Sequence, residues 1–212
     1  MSSNIESQWL GLQDYDTALQ MQADLCEHLS KNPHRVFLLG LEHPSVITLG
    51  KRGSSENDIL KPGIMPVFKI DRGGQATLHS PGQLVVYPLI NIKSLGLTPK
   101  SLVDLILDVT QKVLRDFGIK SEFAEGAGLL VHGRKIAFLG LRIQRGLSSH
   151  GLSLNVSNDL SEFAAIRSCG CAGASLTRLQ DLGVPDSPRQ IFGRWSLEFE
   201  SRLKQLAPQA LL

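Results

Sequence analysis

"LLVHGRKIAFLGLRI", residues 129–143, decides the fold class. Two apolar runs are separated by His132-Gly133, a pair suited to the tight turn of a β-hairpin, with no room for a crossover helix between them. "RVFLLGL" (35–41) and "SVITLG" (45–50) are short apolar or β-branched runs broken by "EHP". "VFKI" (67–70) and "LVVYPLINI" (84–92) flank a glycine-rich segment, and "SHGLSLNV" (149–156) is another strand. Hairpins mixed with separated helices predict one α+β domain over 1–212, with a mixed or largely antiparallel sheet flanked by helices.

Three helices punctuate these strands. From Asp14 to Ser30, Tyr15, Ala18, Leu19, Leu25 and Leu29 fall near helical spacing, with Asp14 or Asp16 as cap. "TPKSLVDLILDVTQKVLRDFG" (98–118) has Thr98 as N-cap, Pro99 at the first helical position and Gly118 as stop. Its apolar stripe runs through Leu102, Leu105, Ile106, Val109, Val113 and Phe117. The last helix starts from Ser187 with Pro188 and Gln190 behind it, a capping-box pattern, and its stripe is Ile191, Trp195, Phe199 and Leu206. The glycines, serines and charges of "GKRGSSENDILKPG" (50–63) mark the expected mobile loop.

Composition excludes several function classes. The 212 residues carry 22 Lys+Arg against 20 Asp+Glu, net +2, with no run of five like charges, so neither a nucleic-acid arm nor a polybasic membrane patch is expected. No apolar segment approaches the roughly 18 residues that span a bilayer. The N-terminus lacks a basic start and an apolar core, which argues against a signal peptide. An odd cysteine count, Cys26, Cys169 and Cys171, points to free thiols in a reducing, cytoplasmic compartment. No apolar stripe is left over for dimerisation, so a monomer is expected.

Two segments carry chemistry-bearing residues. "DRGGQATLHSPGQLVVY" (71–87) gives the backbone freedom at Gly73, Gly74 and Gly82, fitting either a hairpin turn or a close approach to a ligand. It matches neither a dinucleotide fingerprint nor a phosphate loop. His79 and His150 both sit beside small residues in front of apolar strands; singly each reads as a scaffold residue, together they suggest one pocket. A single C-x-C with scattered histidines is poor zinc spacing, and no metal site is expected.

"RGGQATLHSPGQLVVYP" (72–88), "GRKIAFLGLRIQRGLSSHGLSLNVSNDLSEF" (133–163) and "IRSCG" (166–170), in that order, resemble the lipoyl(octanoyl) transferase family. The resemblance implies a fold related to biotin and lipoate ligases. It also implies transfer of an octanoyl group from octanoyl-acyl carrier protein to a lysine of lipoyl domains, those of 2-oxoacid dehydrogenase complexes and the glycine cleavage H protein. No ATP and no cofactor are implied. The family's catalytic cysteine falls on Cys169 and its lysine on Lys135. Its substrate-lining segments fall on Arg72, Gly73, Gly74, Gln75, Ala76, Thr77, Leu78 and His79, on Phe138, Leu139 and Gly140, and on His150, Gly151, Leu152 and Ser153. The chain departs from the family at Ser80 (usually glycine), Ser153 (alanine), Ser168 (proline) and Cys171 (aliphatic).

The chemistry suits these residues. A thiolate exchanges readily with a thioester, and an unperturbed thiol, pKa about 8.5, ionises only partly at pH 7, so a cation such as Lys135 beside it is valuable. Taken alone, Lys135 also reads as a solvated residue after a turn. Arg72, Arg142 and Arg145 are candidates to meet the acidic carrier protein, or ordinary solvated arginines. An ATP-dependent lipoate or biotin ligase, and a silent acyl- or lipoyl-domain-binding module, are the competing readings.

Overall fold

A computed structural model describes residues 4–125, 128–167 and 175–211. Ten strands and four α-helices follow in the order β1 (Ile5–Leu12), α1 (Tyr15–Lys31), β2 (Val36–Glu42), β3 (Val46–Leu49), α2 (Ser55–Asp58), β4 (Val67–Lys69), β5 (Ala76–His79) and β6 (Gln83–Ile90). Then come α3 (Pro99–Asp116), β7 (Glu122–Phe123), β8 (Gly128–Val131), β9 (Arg134–Gln144), β10 (Leu147–Asn155) and α4 (Pro188–Leu206). A seven-stranded mixed sheet runs β1-β2-β6-β10-β9-β8-β7, and a three-stranded sheet runs β4-β3-β5. The fold class is as the hairpin predicts.

Side-chain alternation, period two, splits the large sheet between two cores. Val36 and Leu38 of β2, with Leu84, Val86 and Ile90 of β6, face α3 and α4. Phe37, Leu39 and Leu41, with Val85, Tyr87 and Leu89, face α1. Both long helices start as the sequence dictates, Thr98 with Ser101 and Ser187 with Gln190 forming reciprocal capping boxes. They meet where the indole N–H of Trp195 donates to Thr110 Oγ1 at 3.0 Å, and the Phe192 ring lies against Gly40. Leu206 departs from the expected stripe: it is solvent-exposed, and Leu203 closes the buried face.

Three further corrections concern strands. β1 carries no sequence signal because only Ile5 in it is fully buried; it pairs parallel with β2 through α1, and β3 pairs parallel with β4 through α2, two β-α-β connections beside the hairpins. The glycine-rich segment is more than a turn, since Ala76–His79 forms β5 and pairs antiparallel with β3. "VFKI" and "LVVYPLINI" therefore do not form a hairpin: β4 belongs to the small sheet and β6 to the large one. The 50–63 segment, expected as a loose loop, holds α2 and is tied down by Leu60 N–H and Lys61 N–H donating to Ala165 O, and by Arg167 N–H donating to Asp58 O. Phe138 and Phe163 stack under the small sheet with Ile47, Leu49 and Leu78.

The His132-Gly133 turn has the two positive φ angles (50° and 71°) of a mirror-image hairpin turn, and Arg145-Gly146 (54° and 89°) repeats the device between β9 and β10. Among the described residues, no helix is long and apolar enough to cross a membrane.

Candidate active site

Pro88 opens the site. Lying mid-strand in β6, it has no N–H to give, and the β6–β10 ladder, regular from Leu152↔Val86 to Asn155↔Gln83, stops there. Ser148 of β10 bridges the gap, its hydroxyl donating to Pro88 O at 2.7 Å and accepting from Ile90 N–H at 2.9 Å. Between them His150 turns into the left-handed region, φ 57°, and its N–H goes to Gln22 Oε1 on α1 at 2.7 Å. Close approach is possible at Gly151 only because it lacks a Cβ, which would press on Val86 O and on Pro88 Cδ at 2.7 Å.

The parted strands and β5 enclose a cavity of about 60 Å³ between the two sheets and α1. Of the fifteen residues that the resemblance assigns to the substrate, thirteen line this one cavity: Arg72, Gly74 to Thr77, His79, Phe138 to Gly140 and His150 to Ser153. Leu78 is corrected; alternation along β5 turns it into the core with Ile47 and Phe163. Gly73 lines an adjoining cavity of about 430 Å³, which shares Gly74, Gln75, Leu139 and Gly140 with the first and adds Arg52, Glu125 and Lys135. Tyr15, Val85 and Tyr87 also line the smaller cavity, and sequence patterning had marked Tyr15 only as part of a helix stripe.

Lys135 is buried, not the solvated residue its turn-adjacent position allows, and its ammonium lies 4.8 Å over the Phe138 ring centroid. Its main chain is stitched to the residues that follow the cysteine segment: Lys135 N–H donates to Ser175 O at 2.8 Å, and Thr177 N–H to Lys135 O at 3.0 Å. Cys169 and Cys171, with Ser168, lie outside the described residues.

Apart from the Arg72 guanidinium, the inner wall is polar and neutral. The Gln13 carbonyl can only accept, so His43 Nδ1–H donates to it at 2.7 Å and His43 Nε2 accepts the Tyr87 hydroxyl at 2.8 Å. His79 Nδ1 donates to Gln83 Oε1 at 2.7 Å. Gln83 Nε2 in turn donates to Asn155 Oδ1 at 3.0 Å, and Asn155 Nδ2 to Thr177 O at 3.1 Å, which connects the cavity wall to the strand of Lys135. Burial disfavours the charged imidazoles and lowers all three histidines: His43 to about 4, His79 to about 3 with His43 adding repulsion, and His150 to about 4 with Arg72 and Arg142 adding theirs. Burial likewise pushes the Tyr15 and Tyr87 phenols up. Thr77 Oγ1 and His150 Nδ1 are buried with no partner among the described residues.

Arg72 is corrected as a docking residue. It is buried, and its guanidinium donates to Gly73 O at 2.8 Å, Thr48 O at 3.0 Å and Thr48 Oγ1 at 2.8 Å, so it braces the glycine loop. Arg142 is half-buried and paired with Asp71, which Lys51 also holds, while Arg145 is exposed. Ser80 is not among the residues with positive φ, so a serine there meets no backbone strain. Among the described residues no group of three or more His, Cys, Asp or Glu is placed to hold a metal ion.

Residues 14–196 match the family described as lipoyl protein ligase A/B catalytic domain. This chain belongs to that family. The octanoyltransferase of Alkalilimnicola ehrlichii is 43% identical over 185 residues, 86% of this chain and 85% of that protein. The octanoyltransferase of Shewanella sediminis is 40% identical over 203 residues, 95% and 91% of the two chains. In three dimensions the lipoyl protein ligase A/B fold is shared with lipoate-protein ligase A bound with ATP, at TM-score 0.68 and 15% identity over 96% of this chain and 95% of that one.

Proposed function

We propose that this chain is an octanoyltransferase, a single catalytic domain over 1–212 that works as a cytoplasmic monomer. It moves an octanoyl group from octanoyl-acyl carrier protein to a lysine of a lipoyl domain, as in 2-oxoacid dehydrogenase complexes and the glycine cleavage H protein. Relatives 40% or more identical over most of their length carry that name. The observation that carries the mechanism is Lys135, buried in the wall of the larger cavity and bonded through its main chain to Ser175 and Thr177, which follow the Cys169 segment.

Cys169 as thiolate attacks the donor thioester carbonyl. Its new C–S bond forms as the carrier's sulfur departs, and that sulfur takes a proton from Lys135. The acceptor lysine amine then attacks the acyl-enzyme, the amide bond forms, the Cys169 sulfur leaves, and Lys135 recovers the proton shed by the amine. Transfer from one thioester to another and then to an amide runs downhill, so neither ATP nor a cofactor enters.

Purified protein incubated with octanoyl-acyl carrier protein and a lipoyl domain, without ATP, is expected to octanoylate the domain, read by intact mass. The native enzyme would carry one octanoyl group when the acceptor is omitted, and Cys169→Ala none. Dependence on free octanoate plus ATP, or an adduct persisting in Cys169→Ala, would overturn the proposal.

A further inference from the structure

Behind the wall at His150 lies a second space. A cavity of about 270 Å³ runs along α1, and Leu19, Ala23, Cys26 and Leu147 give it an apolar side. It continues past Cys26 and Leu147 into an open cleft of about 500 Å³. Among the described lining residues, the α1 cavity and the small cavity between the sheets have one in common, His150. Three features fix that residue as a partition. The ladder break at Pro88 puts His150 in a left-handed turn, and Gln22 on α1 holds its N–H. Tyr87 meets the imidazole edge-on, with ring centroids 6.5 Å apart.

We propose that His150 is a specificity-determining residue that sets the upper length of the acyl chain, standing between the octanoyl cavity and a second space whose apolar side, Leu19, Ala23 and Leu147, faces Gln22, Arg142, Gln144 and Ser149 and is able to take further methylenes. The proposal rests on the octanoyltransferase reading. Burying one methylene is worth about 0.8 kcal/mol, or about fourfold in affinity. With the imidazole removed, a chain longer by four carbons gains several such increments along Leu19, Ala23 and Leu147, so its disadvantage against octanoyl should shrink at least tenfold.

His150→Gly deletes the partition and relaxes the left-handed backbone, and His150→Asn shortens the side chain while keeping a residue that tolerates those angles. Carrier protein loaded with octanoyl, decanoyl or dodecanoyl chains would be assayed by kcat/KM. The ratio of dodecanoyl to octanoyl should rise at least tenfold in the glycine variant and by less in the asparagine variant. Cys26 supplies a readout that general loosening of the site would not move. In His150→Gly, dodecanoyl-pantetheine should slow maleimide labelling of Cys26, scored by peptide mass, whereas octanoyl-pantetheine should not. In the native chain neither should shield it.

Unchanged chain-length ratios in variants that still transfer octanoyl would overturn the proposal, and so would shielding of Cys26 by dodecanoyl-pantetheine in the native protein. The shielding arm needs no turnover. A native chain that fails to octanoylate a lipoyl domain would count against the proposed function and leave the partition readable by labelling alone.

Discussion

Acidification from pH 7 to pH 5 should strip stability from this protein through three buried imidazoles. In the unfolded chain a histidine has a pKa of about 6.5 and takes up about 0.7 of a proton over that interval. In the fold, His43 and His150 stay neutral down to about 4 and His79 down to about 3, chiefly because burial opposes the charge. The unfolded state therefore binds more protons, and stability declines as pH falls below about 6.5, levelling off only near the folded values. At one and a half pH units below the reference, each group costs about 2 kcal/mol, and the three together about 6 kcal/mol. The figure depends little on how far under pH 5 the folded values lie, since the folded groups are already bare there. Asp71, held low by its hydrogen bond from Lys51, titrates below this window and does not offset the loss. Urea unfolding at pH 7, 6 and 5, followed by the fluorescence of buried Trp195, measures the decline directly. His43→Gln should reduce the pH 7 to pH 5 difference by about 2 kcal/mol whatever its effect at pH 7. Stability that is flat across the interval, or an undiminished pH difference in His43→Gln, would refute the reasoning.

Gly151→Ala places a methyl against Val86 O and Pro88 Cδ at the ladder break, so it should cost about 1–3 kcal/mol in thermal unfolding and raise the KM for the acyl donor. Lys135→Met fills a similar volume without a charge or a proton. It should fold, as judged by circular dichroism, while kcat for octanoyl transfer falls by about 10²–10⁴-fold; a kcat within a few-fold of native would remove Lys135 from the mechanism.

What could be read from residues alone follows local rules. Thr98-Pro99 and Ser187-Pro188-Gln190 announce their helices because caps act within one turn. His132-Gly133 announces its hairpin because a two-residue loop needs two positive φ angles. Thirteen of the sixteen described residues lining the small cavity were legible through a family resemblance carried by ordered segments, while Leu78 was misplaced because the resemblance names a segment and only strand register says which alternate side chains face inward.

Tertiary structure decided the rest, because it depends on groups far apart in the chain. Nothing in "EHP" marks His43 as the acceptor of the Tyr87 hydroxyl 44 residues away, and nothing in a helix stripe marks Gln22 as the partner of His150 N–H. The burial that keeps three imidazoles neutral arises only once β5, β6 and β10 close over them. Likewise Arg72 reads as a surface cation until packing against Thr48 and Gly73 takes it out of water. Local sequence set caps, turns and alternation; desolvation and long-range hydrogen bonding, which exist only in the assembled molecule, set the chemistry of the cavity wall.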